Sequence, residues 1–223
     1  MKPDAIGVPR GKAMKIIDLT HTIEPAQPVF PGDPSPRFRC VADYPSEGYR
    51  ETEVTLGSHT GTHVDAPAHV VPGGNTVSQL SVECFCGTAA VLRLPSGTER
   101  IMPEHIARCA GAETADFLLI STGWERLWGS EEYFRGYPLL DEQAAQWLVS
   151  AGKKGVGLDV MSIDAIDSVD LPLHRLVLGG GVVIVENLCH LGELPCGAVK
   201  FCALPLKLKE ADGAPVRAMA FVE

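Results

Sequence analysis

The chain has 223 residues, 45% of them hydrophobic, with a formal net charge of −9 and a sequence pI of about 5.3. This length fits one domain with a real core. An acidic chain with no Lys/Arg stripe argues against nucleic acid as a partner. No apolar run approaches the ~18 residues of a membrane span.

The elements follow in chain order. Residues 1–13 mix Pro3, Gly7, Pro9 and Gly11 with charges and read as a flexible arm. They lack the apolar stretch of a secretory signal, and Met14 is an alternative start. Residues 14–223 read as a single domain. Lys15–Leu19 is the first expected strand. Pro25, Pro28, Pro31, Pro34 and Pro36 then impose an irregular loop. Phe38–Ala42 and Thr52–Leu56 read as strands, followed directly by a histidine-rich segment. Thr88–Leu94 and Phe117–Ser121 are expected strands. Pro103–Cys109 is an expected helix with proline in its first turn. Asp141 caps an expected helix ending at Ser150, with Gly152 beyond it. Gly155–Val160 and Val182–Glu186 are short apolar strands. Pro172–Leu178 is a short helix stopped by Gly179, Gly180 and Gly181. Val199–Leu206 and Val216–Val222 close the sheet. A strand-rich start followed by alternation predicts an α/β or mixed α+β fold with a mixed central sheet.

Seven cysteines, an odd number in a chain this size, read as reduced and mostly buried thiols of a cytoplasmic protein. Cys84 and Cys86 sit one residue too close for the usual metal or redox pair and are expected to be structural.

The segment His59-Thr60-Gly61-Thr62-His63-Val64-Asp65-Ala66-Pro67-Ala68-His69 carries the chemistry. Imidazole and carboxylate together suit Zn²⁺, Mn²⁺ or Fe²⁺. The spare histidine suits general acid–base work beside an ion. Gly61, two threonines, Val64 and Pro67 disfavour a helix. In an extended chain His59, His63, Asp65 and His69 share one face. Full extension separates His59 and His63 by roughly 13 Å, too far to share an ion comfortably. A bend is therefore expected, and Gly61 tolerates the required φ.

With these residues in view, the run His59–His69 resembles the signature of the metal-dependent cyclase family, whose best-known members are kynurenine formamidases, with isatin hydrolases related. Phe30-Pro31-Gly32-Asp33, Thr122-Gly123-Trp124, Val185-Glu186-Asn187-Leu188, Ala203-Leu204-Pro205-Leu206 and Pro215-Val216-Arg217-Ala218 resemble further family segments. The resemblance spans nearly everything from residue 15 onward. It implies a swivelling β/β/α domain and a homo-oligomer, a dimer or a tetramer. It also implies metal ligation by His59, His63 and Asp65, with Asp65 bridging to a second metal held by His174 and Glu186. His69 is implied as proton donor and acceptor. Phe30 stands where formamidases often carry a tryptophan that meets an aromatic substrate; plain core packing is the alternative for this ring. The implied cofactor is one or two divalent ions per chain, zinc first, with manganese and iron as alternatives. The implied reaction is hydrolysis of a small amide of the aryl formamide type. Opening of a cyclic amide such as isatin, a biosynthetic cyclase or dehydratase step, and a non-catalytic protein with a structural metal are the rival readings.

Overall fold

The computed structural model describes residues 14–222, so the arm expected over residues 1–13 lies outside the described residues. Twelve strands appear in chain order. They are β1 (Lys15–Asp18), β2 (Arg37–Ala42), β3 (Glu51–Thr55), β4 (His63–Asp65), β5 (Cys86–Arg93) and β6 (Arg100–Ile101). The rest are β7 (Phe117–Ser121), β8 (Leu139–Leu140), β9 (Gly155–Leu158), β10 (Val183–Glu186), β11 (Ala198–Pro205) and β12 (Gly213–Val222). The α-helices are α1 (Tyr44–Glu47), α2 (Pro103–Ala107), α3 (Glu142–Ser150) and α4 (Pro172–Gly179).

Eight strands form one mixed sheet in the order β1-β12-β11-β5-β7-β9-β10-β4. The strands β5, β7, β9 and β10 run parallel, as the intervening helical connections require. Strand β4 pairs antiparallel with both β10 and β12, so the sheet closes on itself as a barrel with β1 outside the ring. Closure pairs both sides of the ring strands and leaves β1 as the edge strand.

Side-chain alternation then builds two cores. In β7, Phe117 and Leu119 join Val64, Val185 and Phe201 inside the barrel. Leu118 and Ile120 face the other way and pack with Leu148 of α3 and Val177 of α4. Burial on both faces explains why Phe117–Ser121 is an unbroken apolar run rather than an alternating one. The caps are also where the sequence places them. Asp141 accepts a hydrogen bond from the Gln143 amide at the start of α3, and Gly181 takes φ 80° beyond α4.

Three differences from the sequence reading matter. Among the described residues strand β3 pairs only with β2, in a hairpin separate from the main sheet, so the histidine segment does not leave a barrel strand. That segment instead contributes β4, the strand that closes the ring. The cysteines are mostly not buried: Cys189 alone is buried, and Cys40 and Cys196 are exposed.

Candidate metal centre

Strand β4 is three residues long and is held on both sides. His63 lies opposite Glu186 of β10 and Pro215 of β12, and Asp65 lies opposite Ile184 and Gly213. Val64 points into the barrel core, so alternation turns His63 and Asp65 outward, toward α4. Glu186 leaves its strand on the same side, since Val185 before it faces the barrel. The bend expected at Gly61 is present, with φ 64°. It brings the His59 and His63 rings to a centroid separation of 5.1 Å. The extended face does not continue to His69. Pro67 opens a single 3₁₀ turn over Pro67–His69, and this turn carries the His69 ring to 4.1 Å from that of His59.

The structure brings together all five sequence-derived ligand candidates. Asp65 is the hub: its Oδ1 lies 2.7 Å from His59 Nδ1 and 3.2 Å from His63 Nε2. Its Oδ2 lies 3.7 Å from His174 Nε2, and Glu186 Oε1 lies 3.3 Å from that same nitrogen. Glu186 Oε2 is 3.5 Å from His63 Nε2. Two donor groups follow, His59/His63/Asp65 and Asp65/His174/Glu186, each with its donor atoms within 4.8 Å of one another. Asp65 belongs to both. Its Oδ2 is buried without a hydrogen-bond partner, which is costly for a carboxylate unless a cation sits beside it. The donor chemistry, the spacing and this orphaned oxygen fit a divalent metal centre.

Electrostatics agree. Burial pulls the His59 imidazole down, but Asp65 and Asp212 outweigh it and hold the pKa at about 10. Burial likewise opposes His174, and Asp164 with Glu186 raises it to about 10. Burial pushes Asp65 up, yet His59 and His63 keep its carboxyl well below the usual carboxylate range. The carboxylates thus recruit positive charge into a buried space, first as protons. A divalent metal ion bound by these groups would meet the same demand in place of the protons. His69 differs: burial lowers it below the ordinary imidazole value, with Asp65 pulling the other way.

Each ligand-candidate histidine is also oriented from behind. His63 Nδ1 donates to the Gly61 carbonyl at 2.8 Å. His174 Nδ1 donates to Asp164 Oδ2 at 2.7 Å, and His59 Nε2 donates to Asp212 Oδ2 at 2.9 Å. Such outer contacts set the tautomer and aim the remaining nitrogen inward. Asp164 and Asp212 were not singled out by the sequence, and Asn187 entered only within the Val185–Leu188 segment, without a role. Asp164 lies ten residues before its histidine, and Asp212 lies 153 residues beyond His59, so spacing carried no signal. Asn187 donates to the Gly61 carbonyl at 3.0 Å and accepts from the Tyr133 hydroxyl at 2.7 Å, tying the bend to the scaffold. Thr122-Gly123-Trp124 is scaffold as well. The Thr122 and Gly123 amides bind the buried Asp159 carboxylate, and Trp124 Nε1 donates to the Tyr133 carbonyl.

Above the donor cluster lies a cavity of about 340 Å³. Pro28, Val29 and Phe30 from the proline-rich loop form an apolar wall, with Met161 and Leu171 also lining the space. His69 and the ligand candidates form its floor. Phe30 is therefore a cavity residue rather than part of either core cluster. None of the seven cysteines joins a donor group among the described residues.

Comparison with known proteins shows the family. The family described as putative cyclase matches residues 17–165. A kynurenine formamidase of Salinibacter ruber is 36% identical over 211 residues, covering 92% of this chain and 97% of the relative. One from Paracidovorax citrulli is 32% identical over 206 residues, covering 91% and 94%. Isatin hydrolase A of Labrenzia aggregata superposes with a TM-score of 0.81 at 27% identity, covering 94% of each chain. A structure described as a potential metal-dependent hydrolase with cyclase activity superposes at 0.78 with 30% identity, covering 95% of this chain and 99% of its own. Fold, donor cluster and sequence similarity over nearly the whole described chain converge: the protein belongs to the cyclase family.

Proposed function

We propose that this protein hydrolyses a small aryl formamide to formate and an aniline, with zinc as its metal and up to two ions per chain. The observation that carries this reading is Asp65, buried and shared by two donor groups, with one oxygen lacking a hydrogen-bond partner among the described residues, directly beneath a cavity with an apolar wall. His59, His63 and Asp65 hold the first ion, and Asp65, His174 and Glu186 hold the second. Bound there, a divalent cation lowers the pKa of water toward ~7 and polarises a carbonyl. His69 takes up the proton released from water and delivers it to the departing nitrogen. Phe30 and its neighbours receive the aromatic ring, and their apolar surface keeps bulk water from the reacting carbonyl. The formamide substrate class is supported by the names of the curated relatives at 30–36% identity. Free thiols in all seven cysteines suit a reducing cytoplasm.

The test is formate release from a panel of aryl formamides by zinc-loaded protein, with isatin as a cyclic-amide arm. Formamide turnover that vanishes on chelation and returns with zinc supports the reading. Isatin opening without formamide turnover moves the substrate to the cyclic amides. No turnover of either, with zinc, manganese or iron, removes the hydrolase reading and leaves the cyclase or dehydratase step and the non-catalytic metal protein as its rivals.

The functional unit is a homo-oligomer, a dimer or a tetramer, in this reading. The β2–β3 hairpin is exposed on both faces, apart from Ala42, and displays Phe38, Val41 and Val54, with Tyr44 and Tyr49 at its tip. A two-stranded ribbon with no core beneath it is marginal on its own. A second copy of the chain supplies that core. Light scattering on wild type and on Phe38→Asp tests this: a wild-type monomer removes the proposal.

A further inference from the structure

We infer that Asp212 is a positioning residue for His69, fixing the tautomer in which this imidazole exchanges protons over the centre. The inference rests on the role of His69 proposed above.

The placement of Asp212 is a consequence of sheet register. It is the residue immediately before β12, whose first residue, Gly213, lies opposite Asp65 of β4. The Asp212 carbonyl accepts from the Ala66 amide at 2.8 Å, and the Ala211 carbonyl accepts from the Val77 amide at 2.9 Å. The main chain bearing this carboxylate is thus pinned to the strand that carries the ligand candidates. Gly213 allows the approach: a Cβ there would lie 2.7 Å from His59 Cε1 and 2.9 Å from the Val64 carbonyl.

From this position one oxygen, Oδ2, serves two imidazoles. It accepts from His59 Nε2 at 2.9 Å and from His69 Nδ1 at 3.3 Å. The two contacts have different consequences. His59 already turns Nδ1 toward Asp65, so its Nε2 contact supports a ligand from behind. His69 belongs to neither donor group centred on Asp65. A proton held on its Nδ1 by Asp212 leaves Nε2 as the nitrogen with a free lone pair. That is the arrangement in which a carboxylate orients a general base without itself taking part in the transfer. His59, His69 and Asp212 also lie close enough to form a third donor group, so a further ion at this position is the competing use of the same residues.

A double-mutant cycle with a spectroscopic arm decides. Wild type, Asp212→Ala, His69→Ala and the double variant are measured at saturating zinc for kcat, KM and bound metal. The His69 ring is followed by ¹⁵N NMR of histidine-labelled, zinc-loaded protein, its resonances identified from the His69→Ala spectrum. The expected results are a kcat loss of about 10²–10⁴-fold in Asp212→Ala, the size of the general acid–base help that the wrong tautomer forfeits, with KM and metal content retained. The same substitution on the His69→Ala background should cost less than about twofold, and the Nδ1–H signature of His69 should be lost without Asp212. Equal losses on both backgrounds overturn the inference and assign Asp212 to the support of His59 alone. Loss of a zinc equivalent in Asp212→Ala overturns it in favour of metal binding, either through support of His59 or as a ligand. If His69→Ala itself keeps full kcat, the proton-transfer role of His69 fails, and the positioning role falls with it. That outcome is distinct from the first two, in which His69→Ala is impaired.

Discussion

The two halves of the site are built differently. Asp65, His174 and Glu186 are all buried, with His174 on a helix and the two carboxylates on paired barrel strands. His59, His69 and Asp212 are half-exposed and come from a bend, a single turn and a loop end. The inner half concentrates charge where water cannot screen it, so its energetics demand a cation. The outer half is open to the cavity. It is mixed: His59 turns Nδ1 to Asp65 at 2.7 Å, while His69 stands outside both Asp65-centred groups. Rigid strands suit positions that must not move, and a short turn pinned by main-chain hydrogen bonds suits a group such as His69 that faces the cavity.

The largest effects should come from the residue both donor groups share. Asp65→Ala should lose all tightly bound metal and all measurable hydrolysis, whereas His174→Ala should lose one metal equivalent of two. Metal analysis of the purified variants reads this directly. Equal stoichiometry in both would dissolve the distinction between shared and single-group ligands.

Next in size is the outer half. His69→Ala should keep its metal and its fold but lose about 10²–10⁴ in kcat, the usual size of general acid–base assistance. The loss should shrink across formamides with better leaving anilines, because these need less help from a proton donor. A variant that purifies without metal would transfer His69 to the ligand set.

A smaller effect is expected from the acceptor behind His174. Asp164→Asn keeps the shape but not the charge, and should weaken metal affinity by about 10–100-fold. Competition with a chromogenic chelator measures it. An unchanged affinity would show that the inner half does not depend on its outer carboxylate.

The smallest effect lies outside both halves. His21 stacks on Trp128 at a centroid distance of 4.0 Å. Burial, assisted by His190, lowers its pKa to about 4. An unfolded histidine titrates near 6.5, so the unfolded chain binds this proton more readily than the native one. Its contribution to stability is therefore fully present above pH ~6.5 and is lost as the pH falls toward ~4. His21→Phe, which keeps the stack, should flatten the wild-type decline in denaturant midpoint over that window. A parallel decline in both proteins would assign the acid sensitivity to other groups.

The sequence made some of this legible for physical reasons. The helix α3 was readable because Asp141, the apolar spacing and Gly152 all act locally. Phe117–Ser121 was readable because a parallel strand buried on both faces needs a continuous apolar run. The bend at Gly61 followed from imidazole reach and one glycine. The β3 assignment was right as a strand but misleading as context, since nothing local distinguishes a hairpin strand from one in the barrel.

What the sequence alone determined is the donor set: three histidines and an aspartate crowded into eleven residues, with a glycine where the chain had to turn. These are short-range properties, written in residue type and spacing. Only the tertiary structure decided that the three residues of β4 close the barrel, which places Glu186 opposite His63 and Asp212 one residue beyond Gly213. It also decided which nitrogen of each histidine faces inward, through Asp164, Asp212 and the Gly61 carbonyl. Strand register and outer-shell hydrogen bonds join residues more than a hundred positions apart, and no local periodicity records them.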